Sequence, residues 1–246
     1  MAEYQASEGL SKHTLDHFHT APAYMKYRET KEFKPSRAME LGTVVHDLVL
    51  ENKQTFAVAP ACDRRTKEGK ATWQDFCEQN VGLLIVTEEE NAQITGAADS
   101  ARRLLEKIQY ASDDCEVSLY WERDGVQCRG RLDLMGEFND ENVIIDLKTV
   151  TRISNFDRSF FDLRYDVQAE WYRFGAQQVF GLTPSFIFLA VDMEPPHLAQ
   201  YVFPSTEVLI GAANAIDEDL MNYKLCKELD TWPGLPETRI IMPRYV

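Results

Sequence analysis

The sequence predicts an α/β fold, and three observations carry that reading. Strand-like alternation runs through residues 117–121, 126–134 and 142–149. Helical spacing of apolar residues marks 36–52 before these strands, and a second helix follows them over 166–180. The chain has 246 residues and 44% hydrophobic content, enough to bury a sizeable core in one domain.

In the helix over 36–52, Leu41, Val44, Val45, Leu48 and Val49 form the apolar stripe, and Ser36 precedes them as N-cap. Gly42 lies inside this helix, where glycine costs about 1 kcal/mol against alanine, so a close neighbour is expected there. His46 follows one turn later at the edge of the stripe. It reads either as a group reaching into a site or as a hydrogen-bonded histidine at the core boundary. Thr87 followed by Glu88-Glu89-Glu90 marks another helix start, with acids at the positive end of the dipole.

Val117 to Trp121 and Val126 to Leu134 flank Asp124-Gly125, a strong hairpin signal. A two-residue turn there sets Arg123 opposite Val126, Trp121 opposite Cys128, Leu119 opposite Gly130 and Val117 opposite Leu132, a mostly apolar face. The other face pairs Glu122 with Gln127, Tyr120 with Arg129, Ser118 with Arg131 and Glu116 with Asp133. Two opposed carboxylates are unfavourable unless a cation or an arginine compensates. In the strand over 142–149, Val143, Ile145 and Leu147 face one way, and Ile144, Asp146 and Lys148 the other. One polar sheet face is therefore expected to gather Glu116, Asp133, Asp146 and Lys148. An amphipathic sheet with its polar face in solvent would show the same alternation.

Downstream, the helix over 166–180 closes at Gly181 and carries Gln168 and Tyr172 four apart on one face. A strand at Ser185–Val191, a helix at Thr206–Lys227 and a turn at Trp232-Pro233-Gly234 complete the elements. The chemistry lies in the middle. One aspartate, then a short turn, then a second aspartate two residues before a lysine is the arrangement a metal-dependent phosphodiesterase needs. The acids hold a divalent cation, and the lysine puts positive charge beside the attacked phosphate.

As a set, these residues resemble the PD-(D/E)XK nuclease superfamily, specifically its RecB-like branch. That branch is marked by a Gly-x-x-x-His helix, an Asp strand, an Asp-x-Lys strand and a Gln-x-x-x-Tyr helix. Gly42/His46, Asp133, Asp146/Lys148 and Gln168/Tyr172 match in order, with Leu132 where a proline is usual. The similarity is greater still to the exonuclease VIII (RecE) nuclease domains and their phage relatives, over about Gly9 to Gly181.

The resemblance implies a restriction-endonuclease-like core, a mixed central sheet flanked by helices. It implies a single domain over 1–246, with a helical N-terminal part (1–110), the catalytic sheet and its helix (115–181), and C-terminal strands and helix (182–246). It also implies that His46, Asp133, Asp146 and the Leu147 carbonyl bind Mg²⁺, with Mn²⁺ able to substitute. Lys148 would position or activate the attacking water and stabilise transition-state charge, and Gln168, Tyr172 and Thr149 would contact DNA. The strand register adds Glu116 as a further ligand or a water-mediated neighbour. The implied substrate is double-stranded DNA, degraded from the ends of linear molecules in the 5′-to-3′ direction. The implied partners are further copies of the chain, in a ring such as a tetramer, and a single-strand annealing protein of phage-type recombination. Activity on single-stranded, flap or nicked DNA, and a non-catalytic DNA-binding module, are the other readings; retention of every catalytic position speaks against the last.

A net charge of −14 runs against DNA binding, since phosphate contacts call for a basic footprint. Distribution counts for more than the total. Arg64, Arg65 and Lys67 lie in a locally basic stretch, and Arg102, Arg103, Arg129 and Arg131 add to it. A basic channel in an acidic surface would steer DNA to the site. No apolar run reaches bilayer length and the N-terminus lacks a signal pattern, so no membrane association and a cytoplasmic location, in a bacterium or phage-infected host, are expected. Five scattered cysteines fit reduced thiols and argue against an iron–sulfur site. The segment 231–246, rich in Trp, Pro and Ile, is compatible with docking on a neighbouring subunit.

Overall fold

A long hairpin organises the molecule. Strands β4 (Cys115–Arg123) and β5 (Val126–Phe138) pair in the register that the two-residue turn dictates, from Arg123 opposite Val126 to Val117 opposite Leu132. Asp124 and Gly125 have φ of 52° and 78°, the positive values a type I′ turn requires. Strand β6 (Glu141–Val150) folds back antiparallel to β5, and β7 (Ser185–Asp192) runs parallel to β6. A parallel neighbour needs a crossover, and two helices between those strands supply it. Strand β8 (Ala199–Val202) pairs antiparallel with β7, and the short β1 (Leu10–Ser11) pairs parallel with β5, so the six-stranded sheet is mixed. The computed structural model describes residue 4 and residues 7–32, 34–111 and 114–238.

One edge of β5 is shared. Cys128 pairs with Trp121 on one side and Leu10 on the other; Leu134 pairs with Cys115 and Ile145 in the same way. Strands β1 and β6 thus occupy the same edge of β5, and residues 130–133 lie in the gap between them. There the Leu147 N–H donates to the Asp133 carboxylate at 2.9 Å. A buried N–H past the end of a ladder must find some acceptor, and here it is a side chain.

Helices cover both faces of the sheet. The helices are α1 (Lys12–Thr20), α2 (Pro22–Glu29), α3 (Arg37–Leu50), α4 (Lys67–Gln79), α5 (Glu88–Leu105), α6 (Phe156–Asp162), α7 (Tyr165–Phe180) and α8 (Thr206–Leu229). One core joins Ile144, Phe186, Phe188 and Ala190 of the sheet to α1, α6, α7 and α8; the other joins Val143, Ile145, Leu147, Ile187 and Leu189 to α3 and α5. Strand alternation on β6 and β7 sorts these residues cleanly. Ser36 caps α3 by accepting from the Met39 N–H, and Thr87 with Glu90 forms a capping box on α5.

Three expectations are corrected. Strands β2 (Phe56–Val58) and β3 (Leu84–Val86) form a small parallel sheet, so the N-terminal part is not purely helical. Three-residue strands are too short to show alternation. Trp232-Pro233-Gly234 is irregular rather than a turn. Trp232 lies under Lys26 with Nζ 4.4 Å from the ring centroid, and the Pro233 carbonyl accepts from Ala23 N–H at 3.0 Å. The described end of the segment thus lies on its own chain; residues 239–246 are outside the described residues.

The third correction concerns the hairpin. Leu119, Trp121, Cys128 and Leu132 join the first core, whereas Leu134 joins the second and Cys115 packs against it. The hairpin changes sides between 132 and 134, and Glu116, with φ of 57°, sits at that point. A left-handed residue breaks the two-residue period, so the four charged groups do not share one polar sheet face. They meet instead at the seam where the hairpin changes sides.

Candidate active site

A cleft of about 590 Å³ opens at this seam, between the gap in β5, the end of β6, and α3. Gly42 brings α3 close. A Cβ on it would lie 2.9 Å from Thr149 Oγ1, so the neighbour expected beside this glycine is the β6 strand itself. One turn on, His46 Nδ1 stands 3.5 Å from Asp133 Oδ2. His46, Glu116 and Asp133 each offer a ligand atom, all within 4.8 Å of one another. Arg131 is hydrogen-bonded to Glu116, which supplies the arginine that opposed carboxylates require.

Asp146 and Lys148 enter from the other core. Asp146 is 2% exposed. Its Oδ1 accepts from Gln168 Nε2 at 2.5 Å, while Oδ2 has Lys148 Nζ at 2.6 Å. That second contact is an ion contact without hydrogen-bond geometry, so Oδ2 is buried with no hydrogen bond. Burial pulls the Lys148 ammonium towards neutrality, but Asp146 and Asp133 outweigh it and hold its pKa above the ordinary lysine range. Lys148 is therefore a fixed cation at neutral pH.

The remaining expected residues take different places. Thr149 and the Leu147 backbone line the cleft. Gln168 is buried and secures Asp146, and Tyr172 hydrogen-bonds Gln168 from behind, its ring against the bare Cα of Gly130. Arg64 lies over the Trp73 ring, Arg65 is paired with Asp63 at 3.0 Å, and Lys67 opens α4; none of the three lines the cleft. Arg102 and Arg103 hydrogen-bond the Leu48 carbonyl and Ser100, and Arg129 ties down the Ser7 carbonyl. Tyr165 was not singled out by its sequence. Its ring centroid is 4.8 Å from Lys148 Nζ, and its position three residues before Gln168 on the same helical face is the signal that could have found it.

These groups suit a divalent cation. Two carboxylates and an imidazole are ligands that Mg²⁺ or Mn²⁺ accepts. Burial, then the Asp146 charge, raise the Asp133 pKa well above the carboxylate range against the smaller opposing pull of Lys148, the condition of an acid packed beside another acid. Burial, then the Lys148 charge, hold His46 below its ordinary range, so its ring is neutral at pH 7 and can ligate. A larger cavity of about 730 Å³ lies between the N-terminal segment and the end of α8. Among the described residues it gathers no comparable ligand set.

A family model described as a PDDEXK-like domain of unknown function (DUF3799) matches residues 11–239. This chain belongs to that family. The PDDEXK-like fold is also that of a Eubacterium rectale protein provisionally named an exonuclease. Its crystal structure aligns with a TM-score of 0.66 at 15% identity, covering 100% of this chain and 96% of that one. A second structure, SSO0001, aligns with a TM-score of 0.31 at 12% identity over 77% and 88% of the two chains, too distant to carry an argument. No curated protein matches the sequence. The PDDEXK-like family and the first structure agree on the fold. Among the described residues no helix is long and apolar enough to cross a membrane.

In this PDDEXK-like site protons compete with metal for His46 and Asp133. Mn²⁺ affinity measured by calorimetry should therefore fall as pH drops, with His46 adding to the loss only below the ordinary histidine range. His46→Ala should weaken it by about tenfold or more at neutral pH and flatten that slope. Unchanged affinity in the variant would assign His46 to packing.

Proposed function

We propose that this protein is a Mg²⁺-dependent deoxyribonuclease, with Mn²⁺ able to substitute, that degrades linear double-stranded DNA from its ends. The observation carrying this reading is the convergence of His46, Glu116 and Asp133 within 4.8 Å, beside the Asp146–Lys148 pair. His46, Glu116 and Asp133 would hold the cation with Asp146 flanking it. A cation held there would supply Lewis-acid polarisation of the phosphate and of the attacking water.

The chain's own groups do the rest. The Lys148 ammonium donates to a phosphate oxygen and stabilises the charge that grows there; as a fixed cation it positions the water rather than deprotonating it. Gln168 keeps Asp146 in one rotamer by donating to Oδ1. The Tyr165 ring holds the ammonium from below and keeps bulk water off it. Thr149 lines the path of the scissile strand.

Direction and setting rest on the resemblance in the motif residues: 5′-to-3′ digestion by one domain spanning 1–246, as a ring, in phage-type recombination with a single-strand annealing protein in the cytoplasm. One digestion tests the substrate. With Mg²⁺, linear duplex should disappear from its 5′ ends while covalently closed circles survive. Cutting of circles, or digestion confined to single strands, flaps or nicks, would replace the exonuclease reading with one of the related activities.

A further inference from the structure

A second group of basic residues lies upstream of 63–70. Between Leu10 and Ala38 six lysines and arginines face three acids, in a chain of net charge −14, and three of the five histidines lie in the same stretch. The stretch holds α1, α2 and the start of α3, and two of its basic residues, Arg28 and Lys31, line a cavity of about 470 Å³. That volume is within the range of small-molecule sites, about 300–1,000 Å³.

Its floor is apolar and its rim is cationic. Met25, 4% exposed, lies at the bottom, and Met39, 49% exposed, lines both this cavity and the catalytic cleft, so the two adjoin at that side chain. The His13 and His17 rings meet edge to face at 4.5 Å. Arg28 Nε donates to His17 Nε2 at 3.3 Å, which requires an unprotonated nitrogen there and keeps that ring neutral and aromatic. Lys31 stands at the rim, and Glu29, the acid in the lining, is held by Lys26 at 3.1 Å.

Thioether and imidazole surfaces below guanidinium and ammonium groups match a nucleobase carrying its phosphate. We propose that this cavity receives one nucleotide of the DNA strand that passes through the cleft, its base against Met25, Met39 and His13 and its phosphate at Arg28. The inference rests on the nuclease reading for its biological role. The ligand class follows from the cavity's own chemistry and from its place beside the cleft, with Met39 shared between them.

The test needs no cleavage. The metal-free full chain in EDTA is titrated with 2′-deoxyadenosine 5′-monophosphate to about 10 mM, the range of a weak single-nucleotide contact, and the histidine ring NMR signals are followed. The His13 and His17 signals should move, and Arg28→Gln should raise the half-saturating concentration by about tenfold. His13→Ala, at an exposed position, should weaken binding without touching the fold. Deoxyadenosine or inorganic phosphate alone should move the signals several-fold less. No movement, or equal movement with inorganic phosphate, overturns the proposal. Nucleotide binding in a protein that fails to digest DNA would instead remove the nuclease reading and leave the cavity's ligand standing.

Discussion

Asp146→Asn and Asp133→Asn proteins are each expected to lose DNA cleavage almost completely while remaining folded. Charge stabilisation by a bound cation is worth several kcal/mol, so at about 1.4 kcal/mol per tenfold the loss should be on the order of 10³-fold or more. Both changes keep shape and hydrogen-bonding oxygens, so Gln168 and the Leu147 N–H retain acceptors. In EDTA the Asp133 variant should gain stability, by an amount that depends on pH. Its carboxyl pKa is raised in the fold, so the parent's stability from this group is present below the unfolded carboxylate range and is lost as pH rises through the folded value. Asp133→Asn should therefore raise the unfolding midpoint at neutral pH and change it little in acid. Parent-like turnover by Asp146→Asn, with unchanged circular dichroism, would end the metal-hydrolysis mechanism for this cleft.

Lys148→Met should separate catalysis from metal binding. Removing one preorganised charge donor from a buried site typically costs about 10²–10³ in turnover. Metal affinity should move the other way, because the Lys148 ammonium beside Asp146 repels a cation. Slower cleavage with tighter Mn²⁺ binding is the expected pair of results. In the parent, the raised Lys148 pKa means that activity should show no alkaline loss from this group below about pH 10. If Lys148→Met weakens Mn²⁺ binding and leaves turnover unchanged, the ammonium belongs to the architecture and not to the reaction.

Much of the fold was legible because it is set locally. Asp124-Gly125 pins a hairpin register by turn chemistry alone, and the pairing from Arg123–Val126 to Val117–Leu132 follows it residue by residue. Ser36, Thr87 and Gly181 end their helices for equally local reasons. The motif residues were legible as a set, and the structure brings His46, Glu116, Asp133, Asp146 and Lys148 to one cleft. Their arrangement was not legible. Alternation assumes an extended backbone throughout, and Glu116 carries neither the glycine nor the asparagine that would announce its φ of 57°. Nor does charge along a sequence reveal pairing. Arg65 is spent on Asp63 and Arg131 on Glu116, whereas the cations near His13 and His17 are scattered among aromatic and acidic neighbours. Tyr165 and the His13–His17–Arg28 group were missed for that reason: each depends on contacts between separate elements.

The hairpin that changes sides at Glu116 and Asp133 has a mechanical consequence. Asp146 and Lys148 are anchored through Gln168 and Tyr165 to one core, while His46 is rooted through α3 in the other. Each core can loosen with its own free energy, as cooperative units of a domain do. A cation gripped by His46 and Asp133 beside Asp146 would then act as a rivet across the joint between those units. A ligand that binds only the closed joint raises the cost of opening it. Loading the metal and locking the two halves of the molecule together would be one event.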